Sequence, residues 1–150
     1  MTERELLALE AGYSETKIQH TCVMWFRITF PKADRLLLSF ANGGRRDKKS
    51  ASMRRYEGVL AGAPDLILIY PSGGKATLCI EMKVPKSKGV RSAGRQSEAQ
   101  VEMERQLTTH GSVYVVCHGL VEFIRAVCTY LKLEPQPYID KALMQYINYR

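Results

Sequence analysis

Residues 62–83 read GAPDLILIYPSGGKATLCIEMK, and the fold turns on them. Two apolar runs, 66–70 (LILIY) and 77–82 (TLCIEM), flank a Pro71-Ser72-Gly73-Gly74 turn. Short runs rich in Ile and Leu, bounded by turn residues, predict two strands paired as a hairpin. Side chains alternate along a strand, so Glu81 and Lys83 share one face while Met82 takes the other. The first strand starts where the second ends, which sets Asp65 beside Glu81 although 16 positions separate them. Two carboxylates and an ammonium then meet at one sheet end, beside an apolar core. That placement is costly without a partner, and a divalent cation is one that satisfies it.

The same residues also have a plainer reading. Charged side chains at strand ends are commonly solvated, and an Asp before a strand often only caps a turn. Asp…Glu-x-Lys is a weak pattern by itself, and an exposed Glu–Lys pair contributes about 0–1 kcal/mol. The rest of the chain has to decide.

With 150 residues, 45% of them hydrophobic, the chain has enough apolar content for one domain, 1–150, in which 134–150 forms a C-terminal extension. No stretch approaches the roughly 18 uninterrupted apolar residues of a membrane span. Glu3, Arg4, Glu5, Glu10, Glu15 and Lys17 leave no apolar signal-peptide region. Cys22, Cys79, Cys117 and Cys128 each sit singly in apolar surroundings without C-x-x-C spacing. They read as buried free thiols in a reducing, cytosolic compartment rather than as zinc or iron–sulfur ligands.

The net charge of +7 is local. Residues 45–55 carry Arg45, Arg46, Lys48, Lys49, Arg54 and Arg55 against one acid, Asp47. Residues 83–95 carry Lys83, Lys86, Lys88, Arg91 and Arg95 and no acid. Together these stretches hold half of the 22 basic residues, and the remainder of the chain is slightly acidic. Two basic loops flanking one carboxylate hairpin outline a track for a polyanion. With six phosphates engaged, affinity would fall with log salt at a slope of about −5.

In chain order, Thr2-x-x-Glu5 is a capping box for a short helix ending near Gly12. Ser14 caps a second helix running to about Thr29, stopped by Pro31. Its core stripe is Ile18, Cys22, Trp25, Phe26 and Thr29, with Glu15 and Gln19 together on one edge. A strand at 36–40 leads into Asn42-Gly43-Gly44, a turn whose glycines also let backbone amides approach a phosphate. A helix over 52–60 is ended by Gly62 and Pro64. Ser97 caps a helix to about His110, with Gln100 in its first turn, aimed at the basic loop or at water. A buried strand at 113–117 and an amphipathic helix at 120–131 follow. Residues 134–137 (EPQP) read as a break. The tail at 138–149 places Ile139, Leu143, Tyr146 and Ile147 at helical spacing, to dock on its own domain or on a partner's. The class is α/β, a mixed sheet of about four strands with helices on both faces.

Taken together, these residues resemble the VRR-NUC domain of the PD-(D/E)xK nuclease superfamily, from about Glu15 to Leu131. The resemblance is carried by Asn42-Gly43-Gly44-Arg45, Gly62-Ala63-Pro64-Asp65, Glu81-Met82-Lys83 and Ser97-Glu98-Ala99-Gln100, in the family's order. Two positions depart: Val84 follows Lys83 where the family has Arg, and Glu98-Ala99 displaces a Pro before Gln100. The resemblance implies a restriction-endonuclease-like core in which Glu15, Asp65, Glu81, Lys83 and Gln100 are catalytic. Asp65, Glu81, the Met82 backbone carbonyl and, through water, Glu15 would hold one or two Mg²⁺ or Mn²⁺ ions. It also implies homodimers that cut branched DNA such as four-way (Holliday) junctions, in a bacterial or phage-infected cytoplasm. Asn42 and the basic residues named above would contact the DNA. Two other readings stand beside this one: a nuclease of flaps, nicks or RNA within a larger machine, and a non-catalytic nucleic-acid-binding module.

Overall fold

The computed structural model describes residues 1–40, 51–86 and 95–149. Helix α1 (Glu3–Glu10) starts at the Thr2 capping box, in which Glu5 and Thr2 exchange side-chain and backbone hydrogen bonds. Helix α2 (Glu15–Thr29) starts at Ser14, whose hydroxyl accepts the Lys17 N–H. Pro31 stops it, and the chain tightens into a 3-10 turn (Pro31–Leu36) before strand β1 (Leu37–Ser39). Helix α3 (Ala51–Tyr56) ends sooner than its composition predicts. Gly58 terminates it, with Val59 N–H on the Arg54 carbonyl and Gly58 N–H on the Arg55 carbonyl.

The hairpin forms as expected. Strand β2 (Leu66–Leu68) and strand β3 (Leu78–Lys83) pair antiparallel with Leu66 opposite Ile80. Gly73 and Gly74, both at positive φ, close the turn between the mutually bonded Ser72 and Lys75. β2 stops short of Tyr70 because the Tyr70 carbonyl accepts the Tyr130 hydroxyl at 2.6 Å instead of a strand partner. Helix α4 (Glu98–Thr109) carries the chain to strand β4 (Val113–His118), which lies parallel to β3. The sheet order is β1-β2-β3-β4, two antiparallel pairs and one parallel pair. β3 is central, and all six of its residues are buried.

One sheet face, with Leu37, Leu66, Leu68, Leu78, Ile80, Met82 and Cys117, joins the main core. Against it pack α2, helix α5 (Leu120–Tyr130) and helix α6 (Pro135–Met144). Each fully buried Leu, Ile or Phe there contributes about 1.5–3 kcal/mol. Glu81 and Lys83 alternate to the other face, the one that also bears Tyr114. Among the described residues no helix is long and apolar enough to cross a membrane. All four cysteines are free and buried.

The C-terminal segment departs from the sequence reading at residues 134–137 and at Ile147, and it decides where the tail docks. Residues 134–137 are not a break: Pro135 opens α6, since prolines in a first helical turn sacrifice no hydrogen bond. The tail also docks on its own domain, with Ile139, Ala142, Tyr146 and Tyr149 buried in the core. Beyond Met144 a 3-10 turn (Tyr146–Tyr149) shifts the periodicity, so Tyr149 turns inward and Ile147 is left 73% exposed. The apolar tail therefore gives no reason of its own for a dimer.

Glu10 is wholly buried, and its carboxylate accepts the Leu120 N–H at the start of α5 at 3.0 and 3.3 Å. Burial outweighs that bond and pushes its carboxyl up from 4.5 to about 7. The folded chain then holds this proton more tightly than the unfolded chain. Its contribution to stability is full below about pH 4.5 and is lost as pH rises to about 7. Glu10→Gln, which cannot ionise, should shrink the stability difference between pH 5 and pH 8 by on the order of 2 kcal/mol. Urea unfolding at the two pH values checks this, and an unchanged difference would clear Glu10 of the effect.

Candidate functional site

The hairpin register carries Asp65 and Glu81 to the same end of the sheet. Leu66 opposite Ile80 puts the preceding Asp65 across from Glu81. The Asp65 Oδ2 accepts the Met82 N–H at 2.7 Å, so this carboxylate is fixed by the neighbouring strand itself. Met82 meanwhile sends its side chain into the core.

Glu81 is 2% exposed. Its Oε1 accepts Lys83 Nζ at 2.9 Å and also accepts the Gln100 amide through a short hydrogen bond. Its Oε2 is buried with no hydrogen-bond partner. A buried carboxylate oxygen left unmatched beside a second carboxylate is a position that a cation would satisfy. Glu15, exposed at the start of α2, comes within 3.8 Å of Lys83 Nζ. Three carboxylates thus surround one ammonium.

The electrostatics follow from that arrangement. Burial raises the Asp65 carboxyl above its ordinary value, against the pull of the Met82 N–H and Lys83. Burial also raises Glu81, against its hydrogen bond from Lys83 and helped by the charges of Asp65 and Glu15. For Lys83, burial pulls downward, but the Glu81 hydrogen bond and the Glu81, Glu15 and Asp65 charges together outweigh it. Its ammonium is held protonated. Among the described residues no three His, Cys, Asp or Glu side chains converge closely enough to hold a metal alone. The carboxylate donors on offer are those of Asp65 and Glu81, side by side at one end of the paired strands.

Gln100 has a more definite place than its sequence indicates. Its Oε1 accepts the Ser97 N–H at 2.8 Å in the α4 capping box, while its Nε2 donates to Glu81. It ties the first turn of α4 to strand β3. Gln19 goes elsewhere, donating to the Ser39 hydroxyl at 3.2 Å.

Sequence reading missed one contributor. Gly62, at φ +82, lies so close to α4 that a Cβ on it would stand 2.3 Å from the Ala99 carbonyl oxygen. The residue that opens the Gly-Ala-Pro-Asp run is where the Asp65 segment and the Gln100 helix touch. In the sequence Gly62 reads only as a helix stop and as the first residue of the Gly62-Ala63-Pro64-Asp65 run, and neither foretells its contact with α4.

Of the candidate DNA contacts, Arg54 and Arg55 line a cleft between α3 and α4. Lys86 and Arg95 are exposed, three residues beyond Lys83 and two before Ser97. Asn42, Arg45, Arg46, Lys48, Lys49, Lys88 and Arg91 lie outside the described residues.

Comparison with known proteins is consistent with this geometry. The model of the VRR-NUC domain matches residues 13–120. Among solved structures, one described as a "VRR_NUC domain protein" is similar to this chain with a TM-score of 0.65 and 26% identity. That match covers 81% of this chain and 91% of the other. No curated protein matches.

Proposed function

The chain belongs to the VRR-NUC family, which is of nuclease type, and from that premise we propose a divalent-metal-dependent, structure-specific DNA endonuclease. The observation that carries the metal dependence is the buried, unpartnered Glu81 Oε2 next to Asp65. Hard oxygen donors and a local excess of negative charge suit Mg²⁺ or Mn²⁺. Asp65, Glu81, the Met82 carbonyl and, through water, Glu15 would hold the ion. Bound there, it would acidify a water and neutralise charge developing on the phosphate.

The protein's own groups do the rest. Lys83, protonated and anchored on Glu81 at 2.9 Å, supplies a fixed positive charge for a phosphate oxygen or the attacking water. Gln100 holds Glu81 in place from the α4 side, a positioning role. A purely binding module would gain nothing from two carboxylates set against phosphates, which is why the catalytic reading is preferred.

The substrate proposed is branched DNA, such as a four-way junction. One site per chain would then require a two-fold homodimer to nick opposed strands. A panel of four-way, flap, nicked, duplex and single-stranded substrates with Mg²⁺ or EDTA tests the first point. Cutting of the four-way junction at least tenfold faster than duplex, and only with the metal, is the expected result. Sedimentation at micromolar concentration tests the second, and a monomer both with and without junction DNA would contradict it.

A further inference from the structure

We propose that the cleft between α3 and α4 receives a nucleobase turned out of the helical stack next to the scissile phosphate. The preferred substrate is then DNA with unpaired nucleotides at the cutting point. This rests on the nuclease reading and narrows its substrate class.

The cleft has a volume of about 750 Å³, inside the range of about 300–1,000 Å³ usual for small-molecule sites. Its walls are apolar, with Val59, Leu60 and Ala61 on one side and Ala99 and Met103 of α4 on the other. Arg54 and Arg55 also line it. The acid in its lining, Glu102, is neutralised by Arg105 at 2.7 and 2.9 Å and accepts Gln106 at 3.0 Å. An apolar slot with two guanidinium groups matches a nucleotide, which has a flat apolar base and an anionic backbone.

The position fits as well. Gly62 lines the cleft and lies three residues before Asp65, and Ala99 lines it and precedes Gln100, the Glu81 partner. A strand with one phosphate at Asp65 and Glu81 would then bring a neighbouring nucleotide to the cleft. Tyr56, next to Arg55, is 91% exposed. Cations interleaved with an exposed aromatic are how proteins hold single strands, by charge along the backbone and by stacking on the bases. A base paired inside a duplex cannot enter such a slot, whereas an unpaired one at a branch can, at small unstacking cost.

An abasic-site scan tests this with the whole chain. Single abasic nucleotides are placed at each position around the branch point of a junction, and binding is measured in EDTA. Loss of one base flanking the cut should weaken wild-type binding by about tenfold, with no such effect in the duplex arms. Ala61→Trp, which fills the cleft from an exposed wall, should bind intact DNA correspondingly less well and show no further loss at that abasic position. Equal binding of every abasic variant by the wild type would overturn the proposal, whatever the fate of Ala61→Trp. Abasic sensitivity at the branch without cleavage in Mg²⁺ would instead sink the nuclease reading and leave the cleft standing. Cleavage without abasic sensitivity would do the reverse.

Discussion

Glu81→Gln should lower cleavage in Mg²⁺ by on the order of 10³-fold, as removal of a principal electrostatic group from an active site does. The fold should survive. The amide oxygen can still accept Lys83 and Gln100 in place of Oε1, and repulsion from Asp65 is relieved. What changes is the other side of the group. The unpartnered Oε2 becomes an amide nitrogen, a donor where a cation needs an acceptor. That buried donor costs about 1–3 kcal/mol at most, too little to account for lost activity by unfolding. Mn²⁺ titration by calorimetry should lose its binding signal, while DNA binding in EDTA stays within a few-fold of wild type. Wild-type-like cutting by this variant would remove Glu81 from the chemistry.

How far the sequence foretold this site depends on the range of each interaction. Alternation along β3 and antiparallel pairing with β2 are local rules, so the meeting of Asp65, Glu81 and Lys83 was legible in residues 62–83 alone. The caps at Thr2, Ser14 and Ser97 were equally local, each decided within three residues. Gln100 was harder. Its capping-box oxygen follows from spacing, but its amide bonds to a residue 19 positions away, and that requires knowing where α4 crosses the sheet. Glu15 reaches Lys83 only because α2 begins at the same sheet end, which periodicity within one helix cannot reveal. The tail misled because helical spacing was extended across Met144, where the chain tightens into a 3-10 turn and exchanges Ile147 for Tyr149 in the core.

The second large effect is expected at Gly62, a residue outside the cluster of Asp65, Glu81 and Lys83. Gly62→Ala meets two obstacles. At φ +82 an L side chain costs about 1–2 kcal/mol, and its Cβ would lie 2.3 Å from the Ala99 oxygen, 2.4 Å from the Ala99 carbonyl carbon and 2.7 Å from the Gln100 nitrogen. All three are backbone atoms of the first turn of α4, so no rotamer change relieves the overlap. The helix start and the Asp65 segment must separate. Gln100 is then drawn off Glu81, and Asp65 shifts against Met82. Cleavage should fall by about 10- to 100-fold, as when a supporting group around a metal site is lost, with a loss of stability of about 2–4 kcal/mol. Gly74→Ala separates the two causes. It has the same backbone handicap at φ +77 but nothing within 4 Å of its Cβ, so it should lose about 1 kcal/mol and keep full activity. A Gly62→Ala protein that cuts as fast as Gly74→Ala would show that close packing of α4 on the Gly62 backbone does not hold Asp65, Glu81 and Gln100 in place for cleavage.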